Sequence, residues 1–118
     1  VMGSEPIPST SASDIKEYFK DMTTVQELAD AFAITSNKFW WVEDNEYDYE
    51  EGTPEYIEAS AITHEWCELM KSYENKFFEI IRSEGVEIPP TGRIIVLAPF
   101  MKRYGYDDGN GWWIKNPN

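Results

Sequence analysis

The sequence predicts an all-α domain built around one long central helix. Three observations predict it. Apolar residues recur at three- and four-residue steps from Ala59 to Ile80, between a Thr53-Pro54 start and a Gly85 stop. A second apolar stripe, Val25, Leu28, Ala29, Phe32 and Ala33, follows a Thr24…Glu27 capping box. The one β-branched run, Arg93–Leu97, has no other strong strand to pair with, and a lone strand leaves its backbone unsatisfied.

The first thirteen residues are small and polar with two prolines, and they read as a flexible tail. They lack the basic and apolar regions of an ordinary secretory signal. A single helical domain is expected over residues 14–114, with a frayed end at 115–118. Its first helix starts at a Ser13 cap and runs to Met22, with Ile15, Tyr18, Phe19 and Met22 on one face. The second helix starts at Thr24 and is expected to reach at least Ile34 and at most about Trp41. Glu43–Gly52 then reads as a break, because it holds six acids in ten residues.

The central helix covers about residues 54–84. Its stripe of Ala59, Ile62, Trp66, Leu69, Tyr73, Phe77 and Ile80 places Ile62, Trp66, Leu69, Tyr73, Phe77 and Ile80 in the core, with Phe19, Leu28 and Phe32 packed against them. Val86–Pro90 is extended, because proline excludes its predecessor from helix. For Arg93–Leu97 a helix capped by Thr91, bent at Pro99 and ended by Gly105 is favoured over a strand. Around the Asp107–Gly111 turn, Tyr104–Tyr106 and Trp112–Ile114 can pair as a small hairpin.

Composition narrows the function classes. The chain has 118 residues, enough for one core, with 42% hydrophobic and 15% aromatic residues. Twenty-two acids against ten bases give a net charge of −12. That opposes direct nucleic-acid binding and binding to anionic membranes. No apolar run approaches the ~20 residues of a membrane span. One cysteine and one histidine exclude an internal disulfide and a zinc shell built from Cys and His.

The segments MTTVQELADAFAITSNKFWWVEDNEYDYEEG, YENKFFEIIRSEGVEIPPTGRI and PFMKRYGYDDGNGWWI resemble a group of short uncharacterised proteins. These are encoded on conjugative transposons and related genomic islands of gut Gram-positive anaerobes. The resemblance covers residues 14–114, and its distinctive parts are the Trp-Trp pairs and the acidic segment. It implies a cytoplasmic bacterial protein of a mobile element. The group has no assigned activity, so it transfers no catalytic residue.

Motifs with chemistry are few. His64 and Cys67 lie on adjacent turns of the long helix, a spacing open to a nucleophile–base pair, but Trp66 takes the core-facing position between them. A buried, inert cysteine is the simpler reading. Asp44, Glu46, Asp48, Glu50 and Glu55 match positions 1, 3, 5, 7 and 12 of an EF-hand loop. Tyr49 stands where that loop needs glycine, so no metal site is expected. Thr23–Trp41 has the outline of a helix-turn-helix. Its second helix would offer only Asn37 and Lys38 to bases before Glu43 and Asp44. No enzyme motif and no cofactor signature is present.

What remains is the acidic segment with its rings. Adjacent tryptophans on a helix differ by ~100° in direction, so one ring of each pair is expected at the surface. Trp41, Glu43, Asp44, Glu46, Tyr47, Asp48, Tyr49, Glu50 and Glu51 form the candidate site. The expected function is a non-catalytic adaptor that docks a basic protein partner there. The alternative is a DNA mimic that inhibits a nuclease or DNA-binding protein, using Glu43, Asp44, Glu46, Asp48, Glu50, Glu51, Glu55 and Glu58 as phosphate substitutes.

Overall fold

A computed structural model describes residues 7, 10–109 and 112–116. Among them, four helices and one hairpin follow in the order α1 (Ala12–Tyr18), α2 (Val25–Glu46), α3 (Pro54–Ser83), α4 (Ile94–Arg103), β1 (Tyr106–Asp108) and β2 (Trp113–Lys115). The expected all-α architecture with a long central helix and a small C-terminal hairpin is the one observed.

α3 forms where its signals place it. The Tyr56 amide donates to the Thr53 hydroxyl at 3.2 Å, and Pro54 opens the first turn. Gly85 follows the helix with φ +84°, a conformation that is strained for any residue with a Cβ. α2 begins at the expected capping box, with the Glu27 amide donating to the Thr24 hydroxyl at 3.1 Å. The same hydroxyl donates to the Glu27 carboxylate and, with the Thr23 backbone amide, holds that carboxyl below its usual range.

Four elements differ from the sequence reading in their boundaries. α1 is capped by Ser11 rather than Ser13, and it ends at Tyr18 rather than Met22. Ala12, Ile15 and Phe19, three and four residues apart, form its buried side, and Tyr18 is 79% exposed. α2 runs to Glu46, so the first four residues of the expected acidic break are helical. α4 begins at Ile94 with no side-chain cap, so Thr91 does not serve as one. The hairpin pairs Tyr106 with Lys115 and Asp108 with Trp113, a register shifted toward the C-terminus. Lys115 is therefore a strand residue rather than a frayed one, and the Asn116 amide donates to the Gly105 carbonyl at 2.6 Å. Of the expected tail, Ser11 and Ser13 belong to α1 and its cap, while residues 1–6, 8, 9, 117 and 118 lie outside the described residues.

α2 and α3 form a helical hairpin. The other elements pack where its arms join the body. The core joins Phe32, Phe77 and Phe100 edge to face, at centroid distances of 5.5 and 5.2 Å. The buried side of α3 is Thr63, Trp66, Tyr73, Phe77, Phe78 and Ile81. It is turned by roughly half of the ~100° step between neighbours from the stripe read in sequence. Ile62 is consequently 41% exposed rather than core, while Leu69 and Ile80 sit at its margin.

A polar face of α2 holds the C-terminal hairpin. The Asn37 amide donates to the Trp113 carbonyl and accepts from the Trp113 amide, both at 2.9 Å. The Tyr106 hydroxyl donates to Asp30 at 2.6 Å, and Gln26 donates to the Tyr104 carbonyl at 3.0 Å. These three residues recur at helical spacing, so one face of α2 binds the whole C-terminal segment.

Candidate functional site

The α2–α3 turn lies at one end of the molecule, whose extents are 47, 31 and 26 Å. From Trp40 to Ile62 no residue is buried, so this end is an arm of two helices and their connection. The arm gathers the charge. Residues 39–70 contain ten acids and no lysine or arginine, whereas the rest of the chain has twelve acids and ten bases. Eight of those ten acids lie in the arm itself, and Glu65 and Glu68 follow it on α3.

The structure divides the candidate residues into two groups. Trp41 and Tyr49 line a cleft of about 500 Å³ between α2, α3 and the start of α1. Its wall is completed by Val42, Asn45, Ile62 and Trp66. Trp41, Val42 and Asn45 are half-buried, and Val42 packs against the core, where α2 continues past the acids. Packing against α3 outweighs the unfavourable placement of Glu43, Asp44 and Glu46 at a helix C-terminus, where the dipole opposes them. The second group does not line the cleft. Tyr47 is 73% exposed, and Asp48, Glu50 and Glu51 are exposed beside it in the turn.

Among the described residues, no basic side chain pairs with any acid of the turn. The field is felt by its neighbours. Partial burial, then Glu46 and Asp44, push the Glu43 carboxyl up. Burial, then Glu46, Glu51 and Tyr47, push the Tyr56 hydroxyl up. Asp44 and Glu46 of α2 and Glu51 of the turn thus raise the groups beside them in the same direction.

The other sequence motifs are resolved by geometry. His64 faces a shallow hollow with Lys16, Glu65 and Glu68, while Cys67 packs against the core and does not line that hollow. The structure does not bring the two together in one pocket. Asp44 and Glu46 of the EF-hand pattern lie in α2 and Glu55 lies in α3. Among the described residues no cluster of His, Cys, Asp or Glu could hold a metal ion. The helix-turn-helix outline is one continuous helix. Thr35 donates its hydroxyl back to the Ala31 carbonyl at 2.8 Å where a turn was expected.

Each tryptophan pair divides, as neighbours on an element must. Trp40 is 41% exposed beside half-buried Trp41, and Trp113 is buried beside half-buried Trp112. Two features were missed in sequence. Lys38 is buried at 4% exposure with its ammonium 5.9 Å from the Trp66 ring centroid. A second cleft lies among α2, α3, α4 and the hairpin, and it contains Glu74 and Arg93. Glu74 sits between Tyr73 and Phe77 near the buried side, and an acid so close to an apolar stripe was the signal available.

Among the described residues, no helix is long and apolar enough to cross a membrane. Comparison with family models, with curated proteins and with solved structures finds no match.

Proposed function

We propose that this chain is a non-catalytic interaction protein that docks a basic protein partner on the acidic arm of the α2–α3 hairpin. One observation carries the reading: ten acids and no lysine or arginine over residues 39–70, eight of them on an arm without a buried residue from Trp40 to Ile62. Solubility needs only a modest net charge. A field concentrated at one end attracts a cationic surface and raises its association rate, more strongly at low salt. Tyr47 and Tyr49, 73% and 46% exposed, offer ring faces to arginine or lysine of the partner.

The DNA-mimic reading keeps one specific support. The acids extend past the turn along α3 to Glu55, Glu58, Glu65 and Glu68, all exposed. That stretch of α3 is ~20 Å long at 1.5 Å per residue. Its four charges average one per ~5–7 Å, sparser than the ~3.4 Å of one DNA strand, so a mimic also needs the six acids of α2 and the turn. A mobile-element and cytoplasmic setting rests on the sequence resemblance alone, and conjugation genes beside this one are its test.

The deciding experiment combines Glu46→Gln, Asp48→Asn, Glu50→Gln and Glu51→Gln in one variant. Affinity capture from the source cell is run with both proteins at low and high salt. The docking reading expects a salt-sensitive partner that the variant retains weakly or not at all. Equal retention by the variant overturns it. Displacement of the captured partner by duplex DNA selects the mimic reading over the adaptor.

A further inference from the structure

The cleft between α2, α3 and the start of α1 runs along the acidic arm, from Tyr49 in the turn to Trp66 at the arm's base, with a volume of about 500 Å³. Its walls keep apolar surface open to water. Trp41 is half-buried there, and Tyr49 and Ile62 are exposed. Asn45 adds an amide to the same wall. The lining itself carries one ammonium and one carboxylate, Lys38 and Glu65, and selects no sign. Its chain neighbours do. Glu43 and Asp44 separate Val42 from Asn45, Glu46 follows, Asp48 and Glu50 flank Tyr49, and Glu58 precedes Ala59. On the side of α1, Lys16 lines the adjoining hollow, and there it lies with Glu65 and Glu68. The cleft is thus an apolar trough with an acidic rim.

Resting on the docking reading, we infer that the basic partner seats one bulky apolar side chain in this cleft, from a segment with lysine or arginine on both sides of that residue. The cleft supplies what charge alone does not. Acids on an exposed arm attract any cation, but exposed ion pairs contribute little affinity. Binding energy at protein interfaces is concentrated in anchors that fill pockets, with polar groups around them. Trp41, Tyr49 and Ile62 give such a pocket its wall, and covering their open apolar surface is favourable. The acids beside them stand where the cations on either side of the anchor pair. An acidic segment meets like charge at the rim, and a basic segment without the anchor leaves the trough unfilled.

The test is NMR titration of the intact chain, followed at the Trp41 indole N–H, with three capped pentapeptides: Lys-Lys-Phe-Lys-Lys, Lys-Lys-Ala-Lys-Lys and Glu-Glu-Phe-Glu-Glu. The first is expected to bind at least ~10-fold more tightly than the second, and the third not at all. Ile62→Gln and Tyr49→Ser, both at exposed positions, each abolish the preference for phenylalanine while circular dichroism and the melting temperature show the fold intact. The variant neutralised at Glu46, Asp48, Glu50 and Glu51 weakens both lysine peptides and keeps their ratio. Equal binding of the two lysine peptides, or a preference that survives both cleft variants, overturns the inference and leaves the docking reading standing. Phenylalanine that binds as well between glutamates reveals a trough without charge selection and overturns the inference too. Binding that neither salt nor the neutralised variant weakens overturns the docking reading, and the inference with it. A chain that sediments as a dimer, and as a monomer with Ile62→Gln, names a second copy as the occupant and overturns the inference.

Discussion

Replacing Trp66 by alanine tests the position on which α3 packs. Trp66 is 2% exposed, and it lies on the buried side of α3 at the base of the acidic arm. A tryptophan buries about 200 Å² of mostly apolar surface, worth ~5 kcal/mol at ~25 cal/mol per Å² as an upper bound. Measured Trp→Ala replacements in cores cost about 3–5 kcal/mol. Here the loss falls in the upper half of that range. The ring carries the Lys38 ammonium at 5.9 Å, and Lys38 is only 4% exposed. Removing the ring withdraws a cation–π partner worth about 1 kcal/mol from a buried charge. A loss of ~4 kcal/mol with a urea m-value of ~1.5 kcal/mol/M lowers the midpoint by between 2 and 3 M. Urea unfolding followed by circular dichroism reads that shift. A change below ~0.5 M, with an unchanged m-value, would refute the assignment of Trp66 to the core.

Other perturbations separate the parts of the molecule. Asn37→Ala removes both hydrogen bonds to Trp113, costs about 1–3 kcal/mol and unprotects the hairpin amides; intact protection in hydrogen exchange would show that the strands do not depend on α2. Glu74→Gln is expected to raise the urea midpoint at pH 7. The folded carboxyl is raised, so the native state binds its proton more tightly and stability falls as pH rises from the ordinary glutamate value through the raised one. The gain should therefore shrink on acidification and vanish below that window, and a gain independent of pH would refute the cause. Backbone amides of residues 40–62 should exchange faster than those of Leu28–Phe39, and added salt should narrow the gap; equal rates at low salt would show that the arm is as stable as the body.

Sequence reasoning found the elements whose signals are local. Thr24 with Glu27, and Thr53 with Pro54, mark helix starts in chemistry that acts within one turn. Gly85 marks an end for the same reason. It missed what depends on partners distant in the chain. The stripe on α3 was drawn through Ile62 and Ile80, because both are apolar and correctly spaced. The buried side passes instead through Thr63 and Ile81, since the direction of α2 and α4 decides which side faces inward. Charge density at Glu43–Glu46 argued for a break, yet Trp41, Val42 and Asn45 are half-buried there and the helix runs through it. Asn37 and Asp30 looked like ordinary polar helix residues, and only the returning C-terminal segment gives them partners. The candidate site was legible as composition, because ten unopposed acids need no fold to be noticed. Its extent was not, since the turn brings the acids of α2 and α3 to the same end.

Charge and core are divided along the same two helices. Beyond the arm, α2 and α3 carry the aromatic core, with Phe32, Tyr73 and Phe77 nearly closed to solvent. Within the arm, from Trp40 to Ile62, there are eight acids, no buried residue and no lysine or arginine. A domain that kept its acids only for solubility would gain as much from spreading them over its whole surface, and would avoid the repulsion of close neighbours. The turn acids lie within a Debye length of about 8 Å at physiological salt, so their mutual repulsion is only partly screened. That repulsion acts where little apolar burial opposes it. The arm is thus expected to be the least stable part of the hairpin, and on the docking reading a cationic surface lowers its free energy most. On that reading, binding relieves repulsion as well as forming contacts. This ties the docking reading to a measurable linkage: a partner that engages the arm must also slow its amide exchange, and one that leaves exchange unchanged is bound elsewhere.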